Sequence, residues 1–199
     1  MEQLGFKLKG PKRKPRRGRP PKKGAGVSHL RRPALASRFP VHVTLRVRKG
    51  VWPLRTSACF RALRQSFAKG RERFGFRLNQ FSVQGNHLHL IAEASDGVAL
   101  SRGMQGLTIR MAKSLNRVMR RRGKVFADRF HSRILRTPTE VRNAIHYVLF
   151  NRHHHAAQSG RTIPRRWRDP YSSAHATAAA PPPIAPPHTW LLRQATDHL

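Results

Sequence analysis

The sequence predicts an α+β fold: a ferredoxin-like, split βαβ antiparallel sheet with helices on one face and an extra C-terminal helix carrying a tyrosine. Three observations predict it. Between about residues 38 and 157, apolar spacing changes between every second residue and every third or fourth in the order β-α-β-β-α-β-α. The strands and helices are apolar along one side, as a sheet covered on one face requires. Outside this region the composition shifts, to Lys, Arg, Pro and Gly over 1–37 and to Pro and Ala over 158–199. Those ends read as a disordered basic arm and a mostly disordered tail.

The first strand lies in "PVHVTLRVRKG", where Val41, Val43, Leu45 and Val47 point one way and His42, Thr44, Arg46 and Arg48 the other. A helix over about 57–72 follows, with Phe60, Leu63 and Phe67 on one stripe. "FRLNQFSVQGNHLHLIAEA" holds two strands joined by a turn near Gln84-Gly85-Asn86. In the second of these, Leu88, Leu90 and Ala92 face one way and His87, His89 and Ile91 the other. Residues 98–121 read as a long helix with Leu100, Met104, Leu107, Met111, Leu115 and Val118 in helical register. Its Arg102, Arg110, Lys113 and Arg117 lie off that stripe, as phosphate contacts or as a solvated face. "KVFADRFHSRIL" reads as the fourth strand. "TPTEVRNAIHYVLFN" opens a last helix, with Thr137 as cap, Pro138 in the first turn and Glu140 closing a capping box. Val141, Ile145 and Val148 form its apolar stripe.

Charge narrows the function. The 199 residues include 41 Lys and Arg against 8 Asp and Glu, a formal net charge of +33. A solvated surface explains modest excesses of one sign; an excess of this size implies a polyanionic partner, with nucleic acid foremost. Within the arm, Arg17-Gly18-Arg19-Pro20 resembles the core of an AT-hook, an extended Arg-Gly-Arg that fits a narrow minor groove; a generic basic tail is the plainer alternative. One cysteine, Cys59, fits a reducing compartment, and no apolar stretch suggests a leader or a membrane span. The expectation is a cytoplasmic protein. No phosphate-binding loop is present, so nucleotide-driven chemistry is disfavoured. Glu72, Glu93, Asp96, Asp128 and Glu140 are the only acids of the folded region, too few and too scattered for a carboxylate nuclease.

The His-x-His spacing of His87 and His89 is uninformative alone, since His153 and His155 repeat it. Tyr147 and Asn151 stand four residues apart and share a helix face beside the apolar stripe. If the His face of the sheet is the uncovered one, the last helix closes a site of two imidazoles, an amide and a phenol at its edge.

With these residues in view, "VQGNHLHLIAE" resembles the Asn-His-hydrophobic-His strand of HUH single-strand DNA endonucleases, the IS200-like one-tyrosine transposases, and most nearly their REP-associated branch. "GKVFADRFHSRILRTPTEVRNAIHYVLFN" is similar to that branch's segment ending in Tyr-x-x-x-Asn. Arg152 stands where the branch usually has Pro, and Gln84-Gly85 where it commonly has Met-Pro. The resemblance implies that His87, His89 and Asn151 hold a divalent metal, Mg²⁺ or Mn²⁺, and that Tyr147 is the nucleophile. It also implies cleavage and rejoining of single-stranded DNA beside hairpins through a 5′-phosphotyrosine. In a bacterial host such a protein would associate with the nucleoid. The resemblance leaves a homodimer and a monomer equally open.

The chemistry is coherent in itself. A free tyrosine with a pKa near 10 is only about 0.1% phenolate at neutral pH, so a bound cation is needed to activate the phosphate it attacks. A tyrosyl phosphodiester conserves the energy of the broken link, which suits strand transfer better than hydrolysis. The alternative from another class is a non-catalytic, basic nucleic-acid-binding protein of the same fold. RNA-binding versions display aromatics on the open strand face; here that face shows His42, Thr44, Arg46 and Arg48.

Overall fold

The computed structural model describes residues 32–164, 166–175 and 181–196, so the AT-hook-like Arg17 and Arg19 lie outside it. The chain runs β1 (Val41–Arg46), α1 (Ser57–Gly70), β2 (Glu72–Arg73), β3 (Phe76–Val83), β4 (His87–Ala94), α2 (Gly97–Val118), β5 (His131–Ile134), α3 (Pro138–Leu149), α4 (Asn151–Gln158) and α5 (Trp190–Thr196). Five strands form one sheet in the order β2-β3-β4-β1-β5, with antiparallel neighbours throughout. Leaving aside the two-residue β2, this is the split βαβ arrangement that the periodicity predicts.

One face of the sheet is apolar because alternate residues of β1 and β4 point there. Val41, Val43, Leu45, Leu88, Leu90 and Ala92 bury against Leu63 and Phe67 of α1 and Met104, Leu107, Met111 and Leu115 of α2. Asp96 starts α2 by accepting from the backbone N–H groups of Val98 and Ala99, both at 2.7 Å. Gly103 lets α2 lie directly on β3, since a Cβ there would collide with the Phe76 ring. Phe60, expected on the α1 stripe, is only half-buried; its ring instead meets Tyr171 at 4.9 Å.

The opposite face departs from expectation. It is half covered rather than open: Ile91 and Leu135 bury with Val141, Ile145, Val148 and Leu149 of the α3 end and with Leu191, Leu192 and Ala195 of α5. The fourth strand is shorter than the segment "KVFADRFHSRIL" suggests. Residues 125–127 bond to 46–48, and pairing resumes only at His131. The capping box is also rearranged. Thr137 does accept from the Glu140 N–H (3.2 Å), but the Glu140 carboxylate accepts mainly from the Arg136 N–H (2.7 Å) and pairs with Arg133 (2.9 Å). That pair ties the start of α3 to β5.

The Pro/Ala-rich tail, expected to lack order, folds onto the sheet in its described parts. Asp169, which is buried, takes both Nη atoms of Arg55 at 2.8 and 2.9 Å. The backbone of Tyr171, Ser173 and Ala185 bonds to Val83, Phe81 and Leu78 of β3. The buried Glu93 accepts from the backbone of His188 and Thr189, just ahead of α5. The physical reason is an open edge. Strand β2 pairs only with the first residues of β3, and Arg71 accepts from the Leu78 N–H, so further N–H and C=O groups along β3 need partners, several of which the tail supplies.

Candidate active site

The polar half of the α3 face holds the histidines. Residues opposite each other in a sheet share a face, and the register sets His87 against Arg46, His89 against Thr44, and Thr44 in turn against His131. His42 lies beside them, opposite Ile91 on one side and Arg133 on the other. Thus β1, between β4 and β5, brings His42, Thr44 and Arg46 to the pair that the sequence singles out.

The imidazoles are held in defined directions. Nδ1 of His87 stands 2.7 Å from Oδ1 of Asn86. An amide oxygen only accepts, so Nδ1 carries the proton and the lone pair of His87 sits on Nε2. That Nε2 faces Nε2 of the nearly buried His89 at 3.1 Å. The other nitrogen of His89, Nδ1, faces Nε2 of His42 at 3.2 Å and Oγ1 of Thr44 at 3.3 Å. His42 is held neutral: its pKa falls to about 4, chiefly through burial, with His131 and Arg133 adding repulsion.

Helix α3 delivers Tyr147 to the same place. Its apolar stripe packs on Ile91, which turns the tyrosine ring edge-on to His89, 5.0 Å between centroids, and to His42 at 6.0 Å. The ring is 36% exposed, so it is accessible to a macromolecular substrate. The helix does not continue unbroken to Asn151. It ends at Leu149, Phe150 turns the chain at φ −108° and ψ 20°, and Asn151 opens α4. Asn151 therefore does not end the tyrosine helix as a cap. It is fully buried, and among the described residues neither Oδ1 nor Nδ2 has a hydrogen-bond partner. Leaving such an amide unsatisfied costs about 1–3 kcal/mol.

These residues fit a divalent metal. Two nitrogens on one ion at about 2.0–2.1 Å stand roughly 2.9–3.4 Å apart for bond angles between octahedral and tetrahedral, which brackets the spacing of the two Nε2 atoms. Among the described residues no three of His, Cys, Asp and Glu form a metal cluster, so a third protein ligand would be of another type, and the buried Asn151 amide is the residue that the resemblance nominates. His42 sits behind His89, on its Nδ1 side.

The other basic residues divide by face. Arg46 is exposed beside His87 on the site face, and Arg48 is exposed just past the end of β1. Arg102, Lys113 and Arg117 are exposed on α2 and Arg110 is half-buried there, across the sheet from the histidines. Sequence reasoning missed the contributions of His42, Asn86, His131 and Arg133, because only the strand register shows what they touch. It also missed a groove of about 870 Å³ lined by Arg32, Arg102, Arg129 and Leu35. Arg32 stacks on Phe130 at 3.6 Å, and its pKa is lowered by burial and by Arg129 beside it. His153 of the His run packs on Trp167, 5.6 Å between ring centres.

The ferredoxin-like sheet thus places paired histidines beside a helix-borne tyrosine. The family model "Transposase IS200 like" matches residues 37–151, and the chain belongs to that family. Among solved structures, the chain is similar to a REP-associated tyrosine transposase bound to a REP hairpin, at 19% identity and a TM-score of 0.55, over 74% of this chain and 82% of the other. No curated protein matches it. Among the described residues, no helix is long and apolar enough to cross a membrane.

Proposed function

We propose that this IS200-like transposase is a metal-dependent single-strand DNA endonuclease that cuts and rejoins strands beside hairpins through a 5′-phosphotyrosine. The observation that carries the reading is the facing of the His87 and His89 Nε2 atoms next to the Tyr147 ring. His87, His89 and Asn151 would hold Mg²⁺ or Mn²⁺, which when bound polarises the scissile phosphate and offsets the charge of the transition state. Tyr147 Oη attacks phosphorus and forms the tyrosyl ester. The bond from phosphorus to the 3′ oxygen breaks, that oxygen takes a proton from solvent and leaves as a 3′-hydroxyl, and the phenolic proton passes to solvent. The reverse attack by a 3′-hydroxyl reseals the strand and frees the tyrosine.

Arg46, His131 and Arg133 border the site on the same sheet face, placed to hold the phosphates that flank the cut. The Arg32–Arg102–Arg129 groove would take the hairpin's backbone, and the Arg17–Arg19 arm, which lies outside the described residues, its minor groove, with Arg48, Arg110, Lys113 and Arg117 adding unspecific attraction.

The test is incubation of labelled hairpin oligonucleotides bearing single-stranded flanks with the protein and Mn²⁺ or Mg²⁺, followed by denaturing electrophoresis. A covalent protein–DNA band is expected that disappears with EDTA and in Tyr147→Phe. Tight binding without a band across a broad hairpin panel would leave the alternative, a non-catalytic nucleic-acid-binding protein.

A further inference from the structure

We infer that His42 is a positioning residue that lets His89 turn its Nε2 lone pair toward the site, by accepting the proton of His89 at Nδ1. This rests on the metal-dependent reading above.

The three imidazoles have two self-consistent proton arrangements. Asn86 fixes His87 with its proton on Nδ1, so Nε2 of His87 always offers a lone pair. In the first arrangement His42 donates from Nε2 to Nδ1 of His89, and His89 donates from Nε2 to Nε2 of His87, across the 3.2 and 3.1 Å gaps. Every contact is then satisfied, but His89 has no lone pair directed at the site. In the second arrangement the His89 proton sits on Nδ1 and bonds outward to Nε2 of His42, whose own proton has moved to its Nδ1. Now both Nε2 atoms of the pair present lone pairs to the same point, as a bound cation requires.

The total number of protons is the same in both. What the second needs is an acceptor at Nδ1 of His89 that can exchange its donor and acceptor nitrogens, and a neutral imidazole is such a group. Thr44 also reaches that nitrogen, at 3.3 Å, and its rotating hydroxyl can accept as well. His42 nevertheless decides the arrangement. Its ring meets both the His89 ring, at 5.3 Å between centroids, and the Tyr147 ring, at 6.0 Å, so it touches the ligand and the nucleophile together.

The experiment uses the full chain with Mn²⁺ titrated by calorimetry, and ¹⁵N-histidine NMR with diamagnetic Zn²⁺ as a probe of the His89 tautomer. His42→Phe keeps a ring of similar size and removes the acceptor. It is expected to weaken Mn²⁺ binding about tenfold or more, with the apo melting temperature unchanged within about 2 °C. His42→Gln, which restores an acceptor, is expected to recover affinity to within about threefold of the wild type. In the wild type, Zn²⁺ moves the His89 proton from Nε2 to Nδ1. An Mn²⁺ affinity in His42→Phe within twofold of the wild type, while His89→Ala loses the ion, would overturn the inference alone. Absence of Mn²⁺ binding by the wild type would overturn it together with the metal-dependent reading.

Discussion

The sheet face that meets α1 and α2 is apolar from β3 to β1, whereas the face that meets α3 and α5 is apolar around Ile91 and polar around His89. On the first face the buried side chains satisfy nothing but one another, and close packing is all that is asked of them. On the second, an apolar pad anchors the tyrosine helix while the same strands, a few residues along, hold imidazoles by hydrogen bonds. One face serves packing alone, and the other, on the proposed function, directs groups toward a substrate. The difference teaches where substitutions should separate folding from activity.

The sharpest separation is expected at Tyr147. Tyr147→Phe should abolish the covalent DNA band and change stability by less than about 0.5 kcal/mol, since the ring is partly exposed and its packing is kept. A band that persists would break the comparison at its centre. Next comes the pair Phe67→Ala and His89→Ala. Phe67 is fully enclosed between the helices and the sheet, so its truncation should cost about 3–5 kcal/mol in urea unfolding. His89→Ala should cost only about 1 kcal/mol and still eliminate the band. If both variants unfold alike, the polar half is as structural as the apolar one.

A smaller effect is expected where the tail closes the edge of β3. Asp169→Ala removes the carboxylate partner of the Arg55 guanidinium, which is 20% exposed and keeps its bond to the Val83 carbonyl, and should destabilise by about 2 kcal/mol. Limited proteolysis should then cut first beyond residue 165. The smallest effect is at the strut between the two faces. Glu140 is held below the usual carboxylate range, first by the Arg136 N–H and then by Arg133. Its contribution is therefore present above the ordinary carboxylate pKa and is lost as pH falls through the depressed value. Thermal melts of Glu140→Gln should lack that part of the acid slope and match the wild type at the low-pH end.

The alternation in "VHVTLR" and the helical stripe from Leu100 to Leu115 were legible because each side chain's direction follows from its own position in a strand or helix. So were the turn at Gln84-Gly85-Asn86, the Thr137 cap and the choice of His87, His89 and Tyr147 as a group, which the resemblance of the strand and helix motifs supported. The half-covered second face was not legible, because a helix stripe such as Val141, Ile145 and Val148 names an apolar surface without naming its partner. Nor was the folding of the tail: residues 166–175 have no period, and their order comes from the unpaired edge of β3 and from Arg55, more than 100 positions earlier.

By itself, then, the amino-acid sequence determined the element order, the inward stripes and the residue types available for chemistry, all of which are local consequences of backbone geometry. Only the tertiary structure decided that His42 and Thr44 stand behind His89, that Asn151 is buried without a partner among the described residues, and that the tail seals the sheet. Those depend on strand register and on contacts between distant segments, where a shift of one residue would turn every side chain to the other face.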